Sequence, residues 1–344
     1  MPGGPIVINA RAAARPELGG VERWAREMAR RLPALRPGAY EVVRPRPRLV
    51  HRLGHAWEQA TLPALAARLD ARAILSPANL APVAWPRNVV VIHDAAALRH
   101  PEWYSGSYVA WQRAVLKPLA QRALRVITVS EFSRGEIVDL LGVSAERIEV
   151  VPGGVDERFS PDADPERAAH ELGLERPYVL TVGSLIARKN LAALEPAAEA
   201  LRDAGIDLVA AGGGRPQLRT ESEASGVIPL GLVDDYLLPG LYAGARVFVL
   251  ASLYEGFGLT CLEAMASGTP VVAADAGALP ETCGDAALFV DPEDPRAIAD
   301  ALTQVVSDDL LRRRLTVAGS VRAAELTWDR AARSVDALLE RVTA

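Results

Sequence analysis

The chain contains few cysteines and no long apolar run, and each absence excludes a class of protein. Cys261 and Cys283 are the only cysteines among 344 residues, so neither a disulfide framework nor a metal cage of Cys and His ligands can be drawn. Reduced cytosol is the simplest compartment for such a chain. The N-terminal residues lack a basic stretch followed by an apolar one, and no apolar run approaches the roughly 18 residues of a membrane span. We therefore expect a cytoplasmic protein that is neither exported nor transmembrane.

Familiar nucleotide-binding motifs are missing too. Gly19 and Gly20 precede a predicted helix and a glycine run covers 212–214, but neither place has the GxGxxG pattern or the lysine of a P-loop. The sequence therefore argues against a dinucleotide-dependent enzyme and against an ATPase of the common kinds. No Asp-x-Asp cluster follows a predicted strand in the manner of a metal-holding site, so we expect neither a metal nor another cofactor. No repeat of about 20 to 50 residues indicates a solenoid.

What the chain does contain is a recurring alternation of strands and helices. The composition, 50% hydrophobic and 24% charged, is that of a globular protein, and 344 residues suggest two domains at about 150 residues each. Apolar, β-branched runs recur, and each is followed by a stretch with helical periodicity, the pattern of βα units around a parallel sheet. The predicted strands are 6–10, 73–76, 88–94, 125–130, 148–154, 178–184, 206–212, 226–231, 245–252, 269–275 and 286–291. The fold class is therefore α/β, with two doubly wound, Rossmann-like parallel sheets.

The polar, proline-bearing stretch 156–177 is interpreted as the linker between two domains, with the boundary near residue 172. The predicted domains are 1–172 and 173–326. An amphipathic helix over 327–344, with Thr327 as its N-cap, is expected to pack back on the first domain. Ligands of open parallel sheets bind outside the carboxyl ends of the strands, so two such sheets facing each other predict a cleft between the domains.

Charge is distributed unevenly along the chain. Residues 1–172 hold 23 basic and 19 acidic residues, whereas 173–344 hold 15 and 24. Eleven arginines face only four glutamates between Arg11 and Arg52. In the same segment an apolar stripe is formed by Trp24, Met28, Leu32 and Leu35. The segment predicts contact with phosphates or with an anionic membrane surface. The alternative is that the stripe packs on the sheet and the arginines only solvate the surface.

The most informative segment is FVLASLYEGFGLTCLEAMASGTPVVAADAGALPE at 248–281, where a strand runs through a glycine loop into a helix. Glu255 lies in the loop, and Glu263 lies one turn inside the helix. An ionised Glu263 can accept hydrogen bonds from two neighbouring hydroxyls, as a ribose presents. Backbone N–H groups that favour oxygen acceptors or anions open the helix at Phe257, Gly258, Leu259 and Thr260.

Three further loops follow predicted strands. Arg188 and Lys189 are adjacent cations that suit a diphosphate, because Arg binds two oxygens with its planar fork and Lys acts as a compact charge. Gly19 and Gly20 open a helix after the first strand, which is a phosphate-loop position. His93 ends a very apolar strand and can bond a hydroxyl or carry a proton near neutral pH, although a lone histidine there is more often structural.

Together these segments resemble a known family, the retaining glycosyltransferases of family 4, or group 1 transferases, which have the GT-B fold. The resemblance extends over nearly the whole chain. Its most specific part is SLYEGFGLTCLEAMASGTPVVA, with seven residues between Glu255 and Glu263. Supporting segments occur in the family order: LGGVER, IHDAAALRHPEWY, ITVSEFSR, VPGGVDERF, VGSLIARKN, LGLVDDYLLPGLYAGA and LPETCGDAALFVDPEDP. The style of two of these segments is closest to members that transfer mannose in polysaccharide and O-antigen assembly.

The resemblance implies transfer of a sugar with retention of anomeric configuration, from a GDP- or UDP-sugar held mainly by the second domain. The acceptor would bind the first domain, as a glycan or an anionic, lipid-linked carrier at the inner membrane face, and nucleic acid is not expected as a partner. Glu263 would hold the ribose hydroxyls. The donor sugar would be held by Glu255 and by the backbone of Phe257, Gly258 and Leu259. The diphosphate would meet Arg188, Lys189, Gly19 and Gly20.

The resemblance also assigns residues to the transferred sugar and to the base. His93 would contact the transferred sugar, and Val233, Asp234 and Asp235 lie where the base is usually read. Two departures from the family pattern affect this assignment. Ser184 stands where many relatives have an arginine, so the diphosphate would rely more on Arg188 and Lys189, and Gly153 replaces a common asparagine in a local turn.

Other activities are compatible with the same architecture. A sugar nucleotide epimerase or a glycoside phosphorylase would share the fold, and a catalytically silent subunit would bind the donor without turnover. The presence of both glutamates and both cations argues against silence.

Overall fold

The computed structural model describes residues 3–15, 19–46, 50, 54–184, 186–213 and 224–344. The chain divides into two compact units. The first unit comprises Met1–Arg99, Val109–Gly153 and Trp328–Ala344, and the second comprises His100–Tyr108 and Gly154–Thr327. Among the described residues, no helix has both the length and the apolarity needed to cross a bilayer.

A six-stranded parallel sheet forms the core of the first unit. Its strands are β1 (Ile6–Asn9), β2 (Tyr40–Val43), β3 (Ala73–Ser76), β4 (Asn88–Val91), β5 (Arg125–Thr128) and β6 (Ile148–Val150). They lie in the order β2-β1-β3-β4-β5-β6. The helices after these strands are α1 (Gly20–Leu35), α2 (Gly54–Ala56), α3 (Leu62–Arg68), α4 (Ala96–Arg99), α5 (Gly106–Arg122) and α6 (Glu131–Leu141). A π-helical turn, Trp57–Thr61, joins α2 to α3.

The second unit repeats this architecture. Its strands are β7 (Tyr178–Val182), β8 (Asp207–Ala211), β9 (Val227–Gly231), β10 (Val247–Leu250), β11 (Val271–Ala274) and β12 (Ala287–Val290). They lie in the order β12-β11-β10-β7-β8-β9. The helices are α7 (Pro165–Leu172), α8 (Glu195–Asp203), α9 (Leu238–Ala243), α10 (Leu259–Ala266), α11 (Leu279–Cys283), α12 (Pro295–Ser307) and α13 (Asp309–Glu325). Single 3-10 turns occupy Ala187–Lys189 and Leu191–Leu194.

The predicted α/β class with two doubly wound parallel sheets is confirmed. The central strands β1, β3, β4, β10 and β11 are buried along their whole length. Helices cover both faces of such a sheet, so its strands read as continuous apolar runs, and sequence patterning finds them readily. The strand order reverses between β1 and β3 in the first sheet, and between β7 and β10 in the second.

The segment interpreted as a linker contains α7. Asp164 caps this helix, since its carboxylate accepts a hydrogen bond from the Arg167 N–H at 2.9 Å, and Pro165 occupies the first helical position. Helix α7 packs on α9, which places it in the second unit, whereas the sequence placed residues up to 172 in the first domain. The boundary between the units follows Gly153.

The C-terminal helix α14 (Trp328–Thr343) belongs to the first unit, where it packs on α1. Val335, Leu338 and Leu339 are buried on its inner face. Asp336 accepts a hydrogen bond from Arg36 Nη2 at 2.6 Å and another from the Tyr40 hydroxyl. The amphipathic pattern of this helix therefore corresponds to an intramolecular packing face.

Candidate active site

Three charged side chains meet where the strand order of the second sheet reverses. Arg188 and Lys189 form the 3-10 turn that follows β7, and Glu255 lies in the loop after β10, the neighbouring strand. This is the position at which open parallel sheets bind ligands, because the loops after the two strands diverge there and leave a crevice. The sequence named all three residues, and the structure brings them together.

The contacts among the three are short and largely shielded from water. Lys189 Nζ donates to Glu255 Oε1 at 2.6 Å, and Arg188 Nη1 donates to Glu255 Oε2 at 3.3 Å. Arg188 Nη1 also donates to the main-chain oxygen of Tyr254 at 3.0 Å, and Arg188 O accepts from Leu253 N at 2.9 Å. The side chains are only 10 to 17% exposed. Main-chain and side-chain bonds thus join the two loops.

The electrostatics of this group favour an anion. Burial raises the pKa of Glu255, but Lys189 and Arg188 lower it more strongly, and the resulting pKa is about 2. Glu255 is therefore ionised at neutral pH, and the three side chains together carry one net positive charge. Lys189 has three N–H donors and Arg188 has five, so both can hold Glu255 and still donate to phosphate oxygens.

The lowered pKa of Glu255 predicts a pH-dependent contribution to folding. Because the pKa in the folded chain lies below the ordinary value of 4.5, the contribution is complete above that value and is lost as the pH falls toward 2. We expect Glu255→Gln to lower the free energy of unfolding by on the order of 3 kcal/mol at pH 7, and by less at pH 3.5. Urea unfolding of both proteins at pH 7, 5 and 3.5 measures the difference. A difference that stays constant with pH would contradict this assignment.

The glycine loop that carries Glu255 has little room for side chains. Gly258 has φ +100°, and a Cβ there would lie 2.5 Å from Leu279 Cδ2, so a side chain at this position would strain the backbone and displace Leu279. Gly277 has φ +59°, and a Cβ there would lie 2.7 Å from the main-chain oxygen of Glu255. That oxygen accepts from Ala278 N at 2.9 Å. The backbone of Phe257, Gly258 and Leu259 is thus held at the helix N-terminus.

Glu263 lies on α10 and is buried, with 3% of its surface exposed. Its Oε2 accepts a hydrogen bond from the buried Tyr242 hydroxyl at 3.0 Å. A carboxylate offers about four lone-pair positions, so this bond orients Glu263 and leaves it able to accept further donors such as ribose hydroxyls.

The residues predicted at the base lie in the turn after β9. Val233 packs against a cluster of buried apolar residues in the second unit. Asp235 is held by Arg158, whose Nη2 donates to Asp235 Oδ1 at 2.7 Å. The sequence did not single out Arg158, although it lies in the VPGGVDERF segment. Ser184 is half-buried after β7, directly following Gly183.

The other predicted donor residues belong to the first unit. Gly19 is the N-cap residue of α1 and Gly20 its first residue, and Gly19 O accepts from Arg23 N at 2.9 Å. His93 is buried, and its Nε2 lies 2.9 Å from the main-chain oxygen of Pro77. Burial lowers the pKa of His93, so the neutral ring donates its Nε2–H to that oxygen. The ring of His93 is thus fixed by a structural bond.

A buried polar cluster at the reversal point of the first sheet also escaped sequence reasoning. Asn9 at the end of β1 donates to Glu58 and, at 3.4 Å, to Ser76 at the end of β3. Arg11 Nε lies 3.1 Å from Glu58 Oε2, and both side chains are at most 4% exposed. Burial raises the pKa of Glu58 and lowers that of Arg11, although the two groups oppose these shifts in each other. The π-helical turn presents Glu58 to this cluster, and no periodicity in the sequence signals it.

The basic segment of the first unit is mostly engaged within the fold. Trp24, Met28 and Leu32 are at most 1% exposed, so the apolar stripe packs inside the unit, and Leu35 alone is 43% exposed. Four arginines form ion pairs: Arg15 with Glu22, Arg30 with Glu27, Arg31 with Glu27 and Asp329, and Arg36 with Asp336 and Glu340. Arg44 and Arg46 are exposed, whereas Arg48 and Arg52 lie outside the described residues.

No group of three or more His, Cys, Asp or Glu side chains that could hold a metal ion occurs in the part of the chain that the structure describes. The cations Arg188 and Lys189 are the charges nearest to Glu255 that suit a diphosphate. Fold and site together define a two-unit protein with a largely buried group of two cations and one carboxylate at the reversal point of its second sheet.

Family models identify the class. Residues 18–159 match the model of glycosyltransferase family 4, and residues 176–308 match the model of glycosyl transferases group 1. The chain belongs to this glycosyltransferase family, as its motifs predicted. It is 34% identical over 257 residues to O-antigen chain mannosyltransferase B of Escherichia coli, covering 71% of this chain and 67% of that one. It is 32% identical over 262 residues to MMP alpha-(1->4)-mannosyltransferase of Mycolicibacterium hassiacum, covering 70% and 58%. The chain thus spans about two thirds or less of these relatives' lengths.

Solved structures show the same fold. Sucrose-phosphate synthase of Thermosynechococcus elongatus superposes with a TM-score of 0.78 at 21% identity, covering 98% of this chain and 99% of that one. Anabaena Alr3699/HepE in complex with UDP and glucose superposes with a TM-score of 0.73 at 19% identity, covering 98% and 99%. The GT-B fold expected from the resemblance is confirmed.

Proposed function

We propose that the protein transfers a sugar from a nucleoside diphosphate sugar to an acceptor hydroxyl, with retention of anomeric configuration. The observation that carries the proposal is the Arg188–Glu255–Lys189 group at the reversal point of the second sheet. Breaking the bond between sugar and diphosphate develops negative charge on the leaving oxygen, and fixed cations stabilise that charge without reorganisation. No protein nucleophile is assigned.

Each predicted residue has a place in this donor site. Glu263 holds the ribose hydroxyls, and Arg188 and Lys189 hold the diphosphate. The amides of Phe257, Gly258 and Leu259 and the carboxylate of Glu255 hold the sugar, with Ser184 beside the diphosphate. Val233 and Asp235 face the base. Gly19 and Gly20 are proposed for the diphosphate, and His93 is proposed for the transferred sugar.

Mannose is the proposed sugar, carried by GDP or UDP. The support is the naming of the two relatives described above as mannosyltransferases. UDP-glucose remains the second candidate, because a UDP and glucose complex is known for a protein of the same fold. A thermal-shift panel of GDP, UDP, ADP and their sugars identifies the donor, because a ligand that binds only the folded chain raises the melting temperature. The proposal predicts a rise with one nucleotide, and a flat panel would contradict it.

Activity is proposed to need no divalent metal. Arg188 and Lys189 supply the positive charge that a metal would otherwise bring to the diphosphate. Transfer measured in EDTA should therefore stay within about twofold of the rate in Mg²⁺ or Mn²⁺. Complete loss in EDTA, restored by either ion, would show that a metal is required.

An anionic, lipid-linked acceptor at the inner face of the membrane is proposed as partner of the first unit. Since the apolar stripe is buried, the membrane contact must use exposed arginines, chiefly Arg44 and Arg46. Basic residues near anionic lipid contribute about 1 kcal/mol each, so substituting both arginines with Gln should weaken binding to phosphatidylglycerol vesicles roughly 30-fold at low salt. Sedimentation with the vesicles measures the binding. The control is a second variant with the same substitutions at Arg68 and Arg87, which are also exposed. Equal, negligible binding of all proteins would remove the membrane contact.

A further inference from the structure

Arg158 makes three hydrogen bonds to one residue that lies 77 positions away in the sequence. Its Nη2 donates to Asp235 Oδ1 at 2.7 Å, and its Nη1 donates to the main-chain oxygen of Asp235 at 3.0 Å and also to Asp235 Oδ2. A guanidinium that binds both carboxylate oxygens fixes the orientation of the carboxylate as well as its position. The additional bond to the main chain fixes the backbone of the turn.

The turn that Arg158 holds has exposed residues beside buried ones, since Val233 packs against the apolar cluster of the second unit and Leu237 is 6% exposed. Leu232 is 87% exposed and Tyr236 is 55% exposed. Leu237 N donates to Asp234 O at 2.9 Å and closes the turn locally. The Tyr236 hydroxyl donates to Glu171 at 2.6 Å. The bonds from Arg158 fix Asp235, which lies between Val233 and Leu237 in this turn.

Arg158 is also linked, through two aromatic rings, to the carboxylate proposed to hold the ribose. Its guanidinium carbon lies 4.9 Å from the ring centre of Phe159, and that ring meets Tyr242 edge-on at 5.7 Å. Tyr242 in turn donates to Glu263 at 3.0 Å. Burial disfavours the charged guanidinium, yet the bonds to Asp235 and the charge of Glu263 leave the pKa of Arg158 raised. The arginine thus lies between the turn and Glu263.

We propose that Arg158 is a positioning residue that sets the base selectivity of the donor site by holding the turn of Val233 and Asp235 in place. The inference rests on the proposed function. Bases differ in the positions of their donors and acceptors, so a turn must be held still to distinguish them. A loosened turn loses discrimination among nucleotides, while Arg188 and Lys189 still bind any diphosphate.

The test is calorimetric titration of GDP, UDP and ADP into the wild type and Arg158→Met, which keeps most of the aliphatic stem. We expect the affinity for the preferred nucleotide to fall about tenfold, and its advantage over the other two to shrink by a similar factor. The kcat at saturating donor should stay within about twofold. Arg176→Met is the matched control, since Arg176 also bonds a carboxylate, Asp207, at 3.0 Å and a main-chain oxygen, that of Gly205, at 3.2 Å.

A merely structural arginine would give a different pattern. Equal weakening of all three nucleotides, or a loss of the same size in Arg176→Met, would overturn the inference, as would unchanged affinities. Asp235→Asn provides a second measurement, because its effect should be smaller in the Arg158→Met background than in the wild type. Additive effects would count against the coupling. Failure of the proposed function is distinguishable, because the wild type itself would then bind none of the nucleotides.

Discussion

Replacing Lys189 by methionine should lower kcat by about 100- to 1,000-fold, the loss typical when one preorganised charge stabiliser is removed from a transition state. The ammonium is held 2.6 Å from Glu255 at the site proposed for the diphosphate. Its interaction strengthens as negative charge develops on the leaving diphosphate, so the Kd of the donor should change much less than kcat. Steady-state rates over a range of donor concentrations, with direct titration of the nucleotide, separate the two quantities.

The chain offers a natural control for this experiment. Lys117 is the only other lysine in the sequence, and it is exposed on α5 in the other unit. Lys117→Met should leave both quantities unchanged. If Lys189→Met were to weaken donor binding while kcat at saturation stayed constant, Lys189 would be a ground-state contact and the assignment to the transition state would be wrong.

Replacing Glu263 by alanine should weaken nucleotide binding by roughly 30- to 700-fold. Hydrogen bonds to a charged group contribute about 1.5 to 3 kcal/mol each, and the loss of the ribose contacts is expected to cost about 2 to 4 kcal/mol in total. The main effect should fall on Kd, because these contacts exist before the reaction begins. Calorimetric titration with the nucleoside diphosphate measures the change.

Two further variants show whether the loss of nucleotide affinity comes from the Glu263 carboxylate. Glu263→Gln retains an acceptor for the Tyr242 hydroxyl, so it should fold as the wild type does and still bind nucleotide several-fold less tightly. Glu293→Gln, an exposed glutamate of the second unit, should have no effect. A Glu263→Ala protein with wild-type nucleotide affinity would place the ribose elsewhere.

The sequence predicted most of the fold because the strands of a sheet covered on both faces are continuous apolar runs. Residues 73–76 were predicted with the bounds that β3 has. Strand β2 was missed, because only Tyr40 of this edge strand is fully buried and the arginine- and proline-rich residues after it obscure the pattern. Helix α7 was missed although Asp164 and Pro165 form an N-cap and first-turn signal, because polar composition was taken as a linker.

The sequence identified the charged residues of the site, but it did not identify the residues that they contact. Glycine spacing and loop position led to Glu255, Arg188 and Lys189, yet their mutual contacts join residues 66 and 67 positions apart. The same holds for the hydrogen bonds of Arg158 to Asp235 and of His93 to Pro77. They depend on side-chain directions that no local sequence pattern encodes. The burial of Trp24, Met28 and Leu32 shows the same limit, because periodicity identifies an apolar face without identifying what covers it.

Product analysis with donor alone distinguishes sugar transfer from the other activities that the same architecture could support. The purified protein is incubated in EDTA with GDP-mannose or UDP-glucose, and the products are separated by ion exchange and identified by ³¹P NMR. We expect slow release of the nucleoside diphosphate, with water as acceptor, from one donor in the wild type and in Lys117→Met but not in Lys189→Met. Conversion of one donor sugar into another, formation of a sugar 1-phosphate only when phosphate is added, or saturable binding without any release under all conditions would contradict this expectation.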